Sequence, residues 1–205
     1  IIDTVRDFIL YLKLCNRTAN LLGRQPQETR GKFNIGSLSK RPKSVRSRQE
    51  FGHWELGTIV SSRGKSTGCL ATFAERKSRL YIAFLIPNRT KDAMHSAIEK
   101  LTRNLPEHAL ESFTSDRGKE FACYPDVEAS GIDFYFADAY SAWQRGTNEN
   151  SNGLMSEFFP KKTDLATVSE TELFTALWLM NNRPRKYLNY QTPLESFMHE
   201  TSLIE

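Results

Sequence analysis

Three strand-like runs stand almost back to back in the middle of this chain, and they restrict its fold more than any other feature. Trp54–Ser62, Gly68–Glu75 and Arg79–Ile86 are rich in β-branched, aromatic and aliphatic residues. Turn material at Ser62-Arg63-Gly64-Lys65 and a tight break at Arg76-Lys77-Ser78 separate them. Connections this short allow only antiparallel neighbours, because a parallel return needs a crossover of a dozen residues or more. The three runs therefore predict a meander.

Beyond Ile86 the period changes. Pro87-Asn88-Arg89-Thr90 opens a helix with Met94, Ala97, Ile98 and Leu101 on one face. Two further strands, Ser112–Ser115 and Ile132–Phe136, are each preceded by helical or irregular chain. Asn148–Phe159 reads as a helix stopped by Pro160. Ser169-x-x-Glu172 is a capping box for a helix that buries Leu173, Ala176, Leu177 and Met180. Thr192-Pro193-Leu194-Glu195 repeats the device with proline at the first helical position. Three strands, then strands alternating with helices, specify an α/β chain with a five-stranded mixed sheet flanked by helices.

The amino-terminal quarter differs. Residues 2–14 read as a short amphipathic helix, and residues 23–49 lose periodicity. Of the 28 Lys+Arg and 24 Asp+Glu in the chain, residues 1–50 hold 11 and 4, a local charge of +7, and the rest is −3. The stretch 40–48 carries Lys40, Arg41, Lys43, Arg46 and Arg48 with no acid, either a tether or an arm that contacts a polyanion. The chain therefore divides into residues 1–49, a helix and basic linker, and residues 50–205, a core. Cys15, Cys69 and Cys123 are widely spaced and odd in number, which argues against a disulfide framework and suits a reducing compartment. No apolar run reaches the roughly 18 residues of a membrane span. The first residues, Ile1 to Asp7, do not have the form of a secretory signal.

Two acids stand where chemistry is expected. Asp116 follows a short strand and opens a glycine-containing turn, at the strand's carboxyl end where α/β sheets place ligands. Glu149 lies in the first turn of a helix, among Asn148, Asn150 and Asn152. Converging carboxylates suit hard divalent cations, and a pair of such ions about 4 Å apart clamps a phosphodiester displacement. That chemistry calls for a third acid on the central strand.

Several motifs in one order then point to a family. Phe51-Gly52-His53-Trp54-Glu55-Leu56, Glu75-Arg76-Lys77-Ser78-Arg79, Asp116-Arg117-Gly118-Lys119-Glu120-Phe121, Trp143-Gln144-Arg145-Gly146-Thr147-Asn148-Glu149-Asn150, Phe158-Phe159-Pro160-Lys161 and Asn181-Asn182-Arg183-Pro184-Arg185 resemble the catalytic core of insertion-sequence-thirty-family transposases. The resemblance runs from about Glu28 to Phe197. It implies a ribonuclease-H-like core of the retroviral-integrase type, an Asp-Asp-Glu triad binding two Mg²⁺ or Mn²⁺ ions, and cleavage and strand transfer at element ends. Expected partners are double-stranded DNA, as element end and target, and further copies of the chain, in the bacterial cytoplasm at the nucleoid.

Carried over by position, Asp116 and Glu149 are the second and third acids. The family's Trp-Glu-x-Asp reads here Trp54-Glu55-Leu56-Gly57, so Gly57 stands at the first acid's place. Glu55 lies two residues away on the same strand face, about 6–7 Å along the strand, and is the substitute ligand to test. Tyr140 and Trp143 are stacking platforms or packing. Lys119, Arg145, Lys161 and Lys162, with Lys40, Arg41, Lys43, Arg46 and Arg48, are the candidate DNA contacts. Two other readings remain: a DNA-binding remnant without turnover, and a structure-selective nuclease on the same fold. Asn182-Arg183-Pro184 reads as a turn between the last two helices.

Overall fold

A computed structural model describes residues 41–62, 66–106, 108–138 and 141–203. The expected helix over residues 2–14 and the linker as far as Lys40 lie outside these residues. Five strands, β1 (His53–Val60), β2 (Cys69–Glu75), β3 (Tyr81–Ile86), β4 (Ser112–Ser115) and β5 (Asp133–Phe136), form one sheet. Its order is β3-β2-β1-β4-β5. The β1–β2 and β2–β3 pairs are antiparallel, as the short turns require, and β4 and β5 add in parallel after crossovers.

Side-chain alternation divides the core between the two sheet faces. On one face Trp54, Leu56, Phe73, Phe113 and Phe134 pack with helix α1 (Lys91–Asn104), whose buried residues are Met94, Ala97, Ile98 and Leu101. Helix α2 (Tyr124–Ala129) lies by β5 on this side, through Val127. The other face carries Leu70, Ala74, Tyr81 and Ala83. It is covered by α3 (Gly146–Phe158) through Met155, and by α4 (Glu170–Asn181) through Leu173, Ala176, Leu177 and Met180. Helix α5 (Pro193–Ser202) returns to the first face, where Phe197 sits 5.2 Å from Phe51 and 6.1 Å from Trp54, centroid to centroid.

Helix starts that the sequence marked locally are where it marked them. Thr90 caps α1 by accepting from Ala93 N, and both capping boxes form, at Ser169 and Thr192. Arg79 has a left-handed backbone (φ 64), and the β2–β3 turn closes with Glu75 N donating to Leu80 O. The third strand therefore begins at Tyr81 rather than Arg79.

Two expectations change. Helix α3 begins at Gly146, two residues before the expected Asn148, because its cap comes from a distant strand. The end of the basic arm is also packed structure. One helical turn at Lys43–Arg46 buries Val45, whose carbonyl accepts from Arg76 Nη2 at 3.2 Å.

Candidate active site

Glu55 and Gly57 point to the face covered by α3, since their β2 partners, Ala74 and Thr72, alternate with Ala71 and Phe73 on the opposite side. On the other flank β4 pairs Thr114 with Glu55, so continuing that register by two residues sets Asp116 alongside Gly57. The amino end of α3 closes over the same point. A Cβ built on Gly57 would overlap Asn148 Oδ1 and lie 3.1 Å from Thr72 Oγ1. Glu149 is the next residue, exposed in the first turn of α3. The fold thus sets Gly57 beside Asp116 on the sheet and lays Asn148, from the turn of α3 that also carries Glu149, over Gly57.

Glu55 is occupied elsewhere. Its side chain has 0% exposure, and burying a carboxylate is costly unless it is paired and hydrogen-bonded. One oxygen accepts from Arg76 Nη1 at 2.5 Å. The other accepts from the backbone N–H groups of Thr147 and Asn148 at 2.8 and 2.9 Å. Those are two of the donors a helix start leaves unsatisfied, and a negative charge there also suits the helix dipole. Glu55 is therefore the cap of α3. Both oxygens are committed to that role, so it does not replace the missing acid at Gly57.

The Glu75–Arg79 motif supports this arrangement from the β2–β3 turn. Ser78 donates to Glu75 Oε2 through its backbone N (2.6 Å) and its hydroxyl (2.7 Å). Burial nevertheless pushes the Glu75 carboxyl up to about 7. Arg76 neutralises Glu55, and burial lowers the pKa of its guanidinium. Arg79 Nη1 donates to Thr147 Oγ1 at 2.8 Å. Sequence reasoning missed this role for Glu55, Arg76 and Arg79. Its signal was a charged residue between Trp54 and Leu56, on a strand whose neighbours are apolar.

Asp116 has a cationic partner of its own. Arg145 Nη2 donates to Asp116 Oδ2 at 2.9 Å, and Nη1 donates to Leu56 O at 2.9 Å, tying the middle of β1 to the carboxyl end of β4. Gly118 N donates to the other oxygen, Asp116 Oδ1, at 2.9 Å. A pair of divalent ions needs converging carboxylates. Here one position is glycine, and the acid beside it already faces a guanidinium. Among the described residues no group of three His, Cys, Asp or Glu side chains is placed to hold a metal ion. The donor set does not fit two ions.

The candidate DNA contacts differ in exposure. Lys119, Lys161 and Lys162 are exposed, as is Arg46, and Arg48 is half-exposed. Arg145 is mostly buried, 13% exposed, with its guanidinium directed at Asp116 and Leu56. Arg41 corrects the expectation: it is buried and donates to Thr114 Oγ1 at 3.0 Å. Burial, then the neighbouring Arg76, pulls its pKa down to about 10. It is a packing residue of β4, not a surface cation. Lys40, Tyr140 and the side chains of Lys43 and Trp143 lie outside the described residues.

Curated proteins similar in sequence to this chain are transposases of insertion sequence elements. It is 39% identical over 170 residues to the transposase InsI of insertion sequence element IS30C from Escherichia coli K12, covering 81% of this chain and 44% of that protein. It is 34% identical over 181 residues to the transposase of IS1086 from Cupriavidus metallidurans, covering 87% and 53%. The chain thus spans about half the length of these relatives. No protein-family model matches it. Among solved structures it superimposes on the catalytic core domain of bovine immunodeficiency virus integrase with a TM-score of 0.59 at 18% identity, covering 75% of this chain and 98% of that one. A simian T-cell lymphotropic virus intasome chain gives 0.58 at 16% identity, covering 85% and 60%. These last two likenesses establish the ribonuclease-H-like, integrase-type fold.

Proposed function

Because this chain belongs to the IS30 family of transposases, we propose that it is the core that holds DNA at insertion-sequence ends, with strand cleavage and transfer impaired by Gly57. The observation that carries the proposal is the meeting of Gly57, Asp116 and the first turn of α3 at one point of the sheet. Asp116 and Glu149 are the two acids kept from the family's triad. In a complete triad two Mg²⁺ or Mn²⁺ ions would supply the activation of water and hydroxyl for phosphodiester displacement. Here the β1 position of the first acid is Gly57, and Arg145 pairs with Asp116.

What this chain's own residues do is bind and position. Arg145 fixes the turn after β4, Glu55 fixes the start of α3, and Lys119, Lys161, Lys162, Arg46 and Arg48 offer positive charge to phosphate. Residues 1–49 are assigned to an amino-terminal DNA-binding segment and residues 50–205 to the core. The working form is a homo-oligomer on element-end and target DNA, in the bacterial cytoplasm at the nucleoid. A remnant that binds DNA without turnover is the second reading, and Gly57 is the residue that favours it.

Titration of labelled element-end duplex against this chain at several salt concentrations, beside a nicking assay in Mn²⁺, tests the proposal. Affinity should fall linearly with salt on logarithmic axes, with little or no nicking. Duplex binding that is absent or indifferent to salt contradicts the DNA-holding role.

A further inference from the structure

Between α4 and α5 the chain runs Asn182-Arg183-Pro184-Arg185-Lys186-Tyr187-Leu188-Asn189-Tyr190-Gln191. Sequence reading treats this stretch as a turn, yet the structure gives it features that a connector does not need. Tyr187 and Tyr190 are 63% and 70% exposed. Tyr190 also holds a left-handed backbone (φ 67), directly after Asn189 (φ 53), a conformation that bulky residues rarely adopt. The loop is nonetheless tightly closed. Leu188 N and Tyr190 N both donate to Arg185 O at 2.9 Å, and Arg185 N donates to Gln191 O at 3.0 Å. Gln191 N donates to Leu188 O at 3.0 Å. A rigid backbone therefore holds two aromatic rings in solvent.

The loop's own charged residues are all basic, and the nearest acid acting on them is Glu157, which faces Arg185. Residues 182–194 contain Arg183, Arg185 and Lys186 and no acid, and among the described residues neither Arg183 nor Lys186 is in an ion pair. The loop also reaches the candidate active site. The Arg79 guanidinium lies 4.4 Å from the Tyr187 ring centroid, and the same side chain holds Thr147, two residues before Glu149.

We propose that the Arg183–Tyr190 loop is a DNA-end platform: Arg183 and Lys186 hold backbone phosphates, and Tyr190 stacks on the terminal base of the duplex delivered to the site. This rests on the DNA-holding role proposed above. Every base offers a π-face to a fixed ring, and cations beside the ring supply the backbone contact. A second copy of the chain is the poorer occupant, because a two-fold contact through this loop would set its three cations against the same three.

The test compares an open-ended duplex with the same duplex closed by hairpin loops at both ends, with affinity measured by fluorescence anisotropy. The parent chain should prefer the open end. Tyr190→Ala should remove that preference by a loss of about 5- to 10-fold on the open duplex, while Tyr190→Phe retains it. Arg183→Ala combined with Lys186→Ala should weaken both duplexes alike and lower the salt slope by about 2. Melting curves verify that each variant is folded, which the exposure of these side chains favours. If the parent binds duplex with a normal salt slope and every variant matches it, the platform is overturned and the DNA role stands. Failure of the parent to bind duplex overturns both. A concentration-dependent dimer that Tyr190→Ala dissolves, with DNA affinity unchanged, assigns the surface to a second copy and overturns the proposal.

Discussion

Changing Glu55 to Gln keeps the size of a side chain on which the start of α3 depends. The amide oxygen can still accept from Thr147 and Asn148, but the charge that balances Arg76 is gone, in a site where Glu55 is 0% and Arg76 4% exposed. Removing one partner of a buried pair leaves the other charge uncompensated and costs about 3–5 kcal/mol. For a chain of this size each kcal/mol moves the melting temperature by about 2–4 °C, so Glu55→Gln should melt roughly 6–20 °C below the parent. Differential scanning fluorimetry at neutral pH measures this. Replacing Arg76 and Glu55 together with apolar residues should restore part of the loss, since neither desolvated charge then remains. The opposing idea, Glu55 as a stand-in metal ligand, predicts a stable variant that loses metal-dependent nicking. A melting temperature within about 2 °C of the parent would refute the buried charge pairing of Glu55 with Arg76.

Three further outcomes rest on named contacts. Burial raises the Glu75 carboxyl from 4.5 to about 7, so its contribution is fully present below pH 4.5 and is lost as pH rises through 7. The loss amounts to about 3 kcal/mol at most, and thermal melts of Glu75→Gln should lack that decline between pH 5 and 7.5. Asp116→Asn and Arg145→Gln share one ion pair at 2.9 Å, so a double-mutant cycle on urea unfolding should give a coupling of about 1 kcal/mol; strictly additive effects would show that the pair does not form. Ser169→Ala removes the acceptor for Glu172 N at 3.2 Å and should cost about 1 kcal/mol in the same unfolding assay.

Much of the fold was legible because its determinants are local. The short turns around Arg76-Lys77-Ser78 require antiparallel neighbours, and Ser169 and Thr192 each find their Glu three residues on. The spacing of Met94, Ala97, Ile98 and Leu101 identifies the buried face of α1. The site was legible only as positions. Asp116, Glu149 and Gly57 are proposed as site positions from motif alone, whereas the contacts that organise this part of the fold join distant segments. Glu55 caps α3 from 92 residues away, and Arg145 meets Leu56 across 89. No periodicity reports such partners. A buried charge in an apolar strand shows only that one must exist. Arg41 illustrates the opposite error: charge composition suggested an exposed arm, whereas Val45 and Arg41 pack against the sheet.

Gly57→Asp restores an acid at the first triad position and separates impairment by Gly57 from wider loss of function. The new side chain must displace the Asn148 amide, which is buried, donates to Glu55 O at 3.2 Å and accepts from Asn152 Nδ2 at 3.0 Å, so stability should be lost. Nicking of element-end duplex in Mn²⁺ by the folded variant should exceed that of the parent by at least about 10²-fold, the scale of regaining one group that stabilises transition-state charge. Equal nicking by the two proteins, whether both cleave or neither does, would contradict impairment by Gly57.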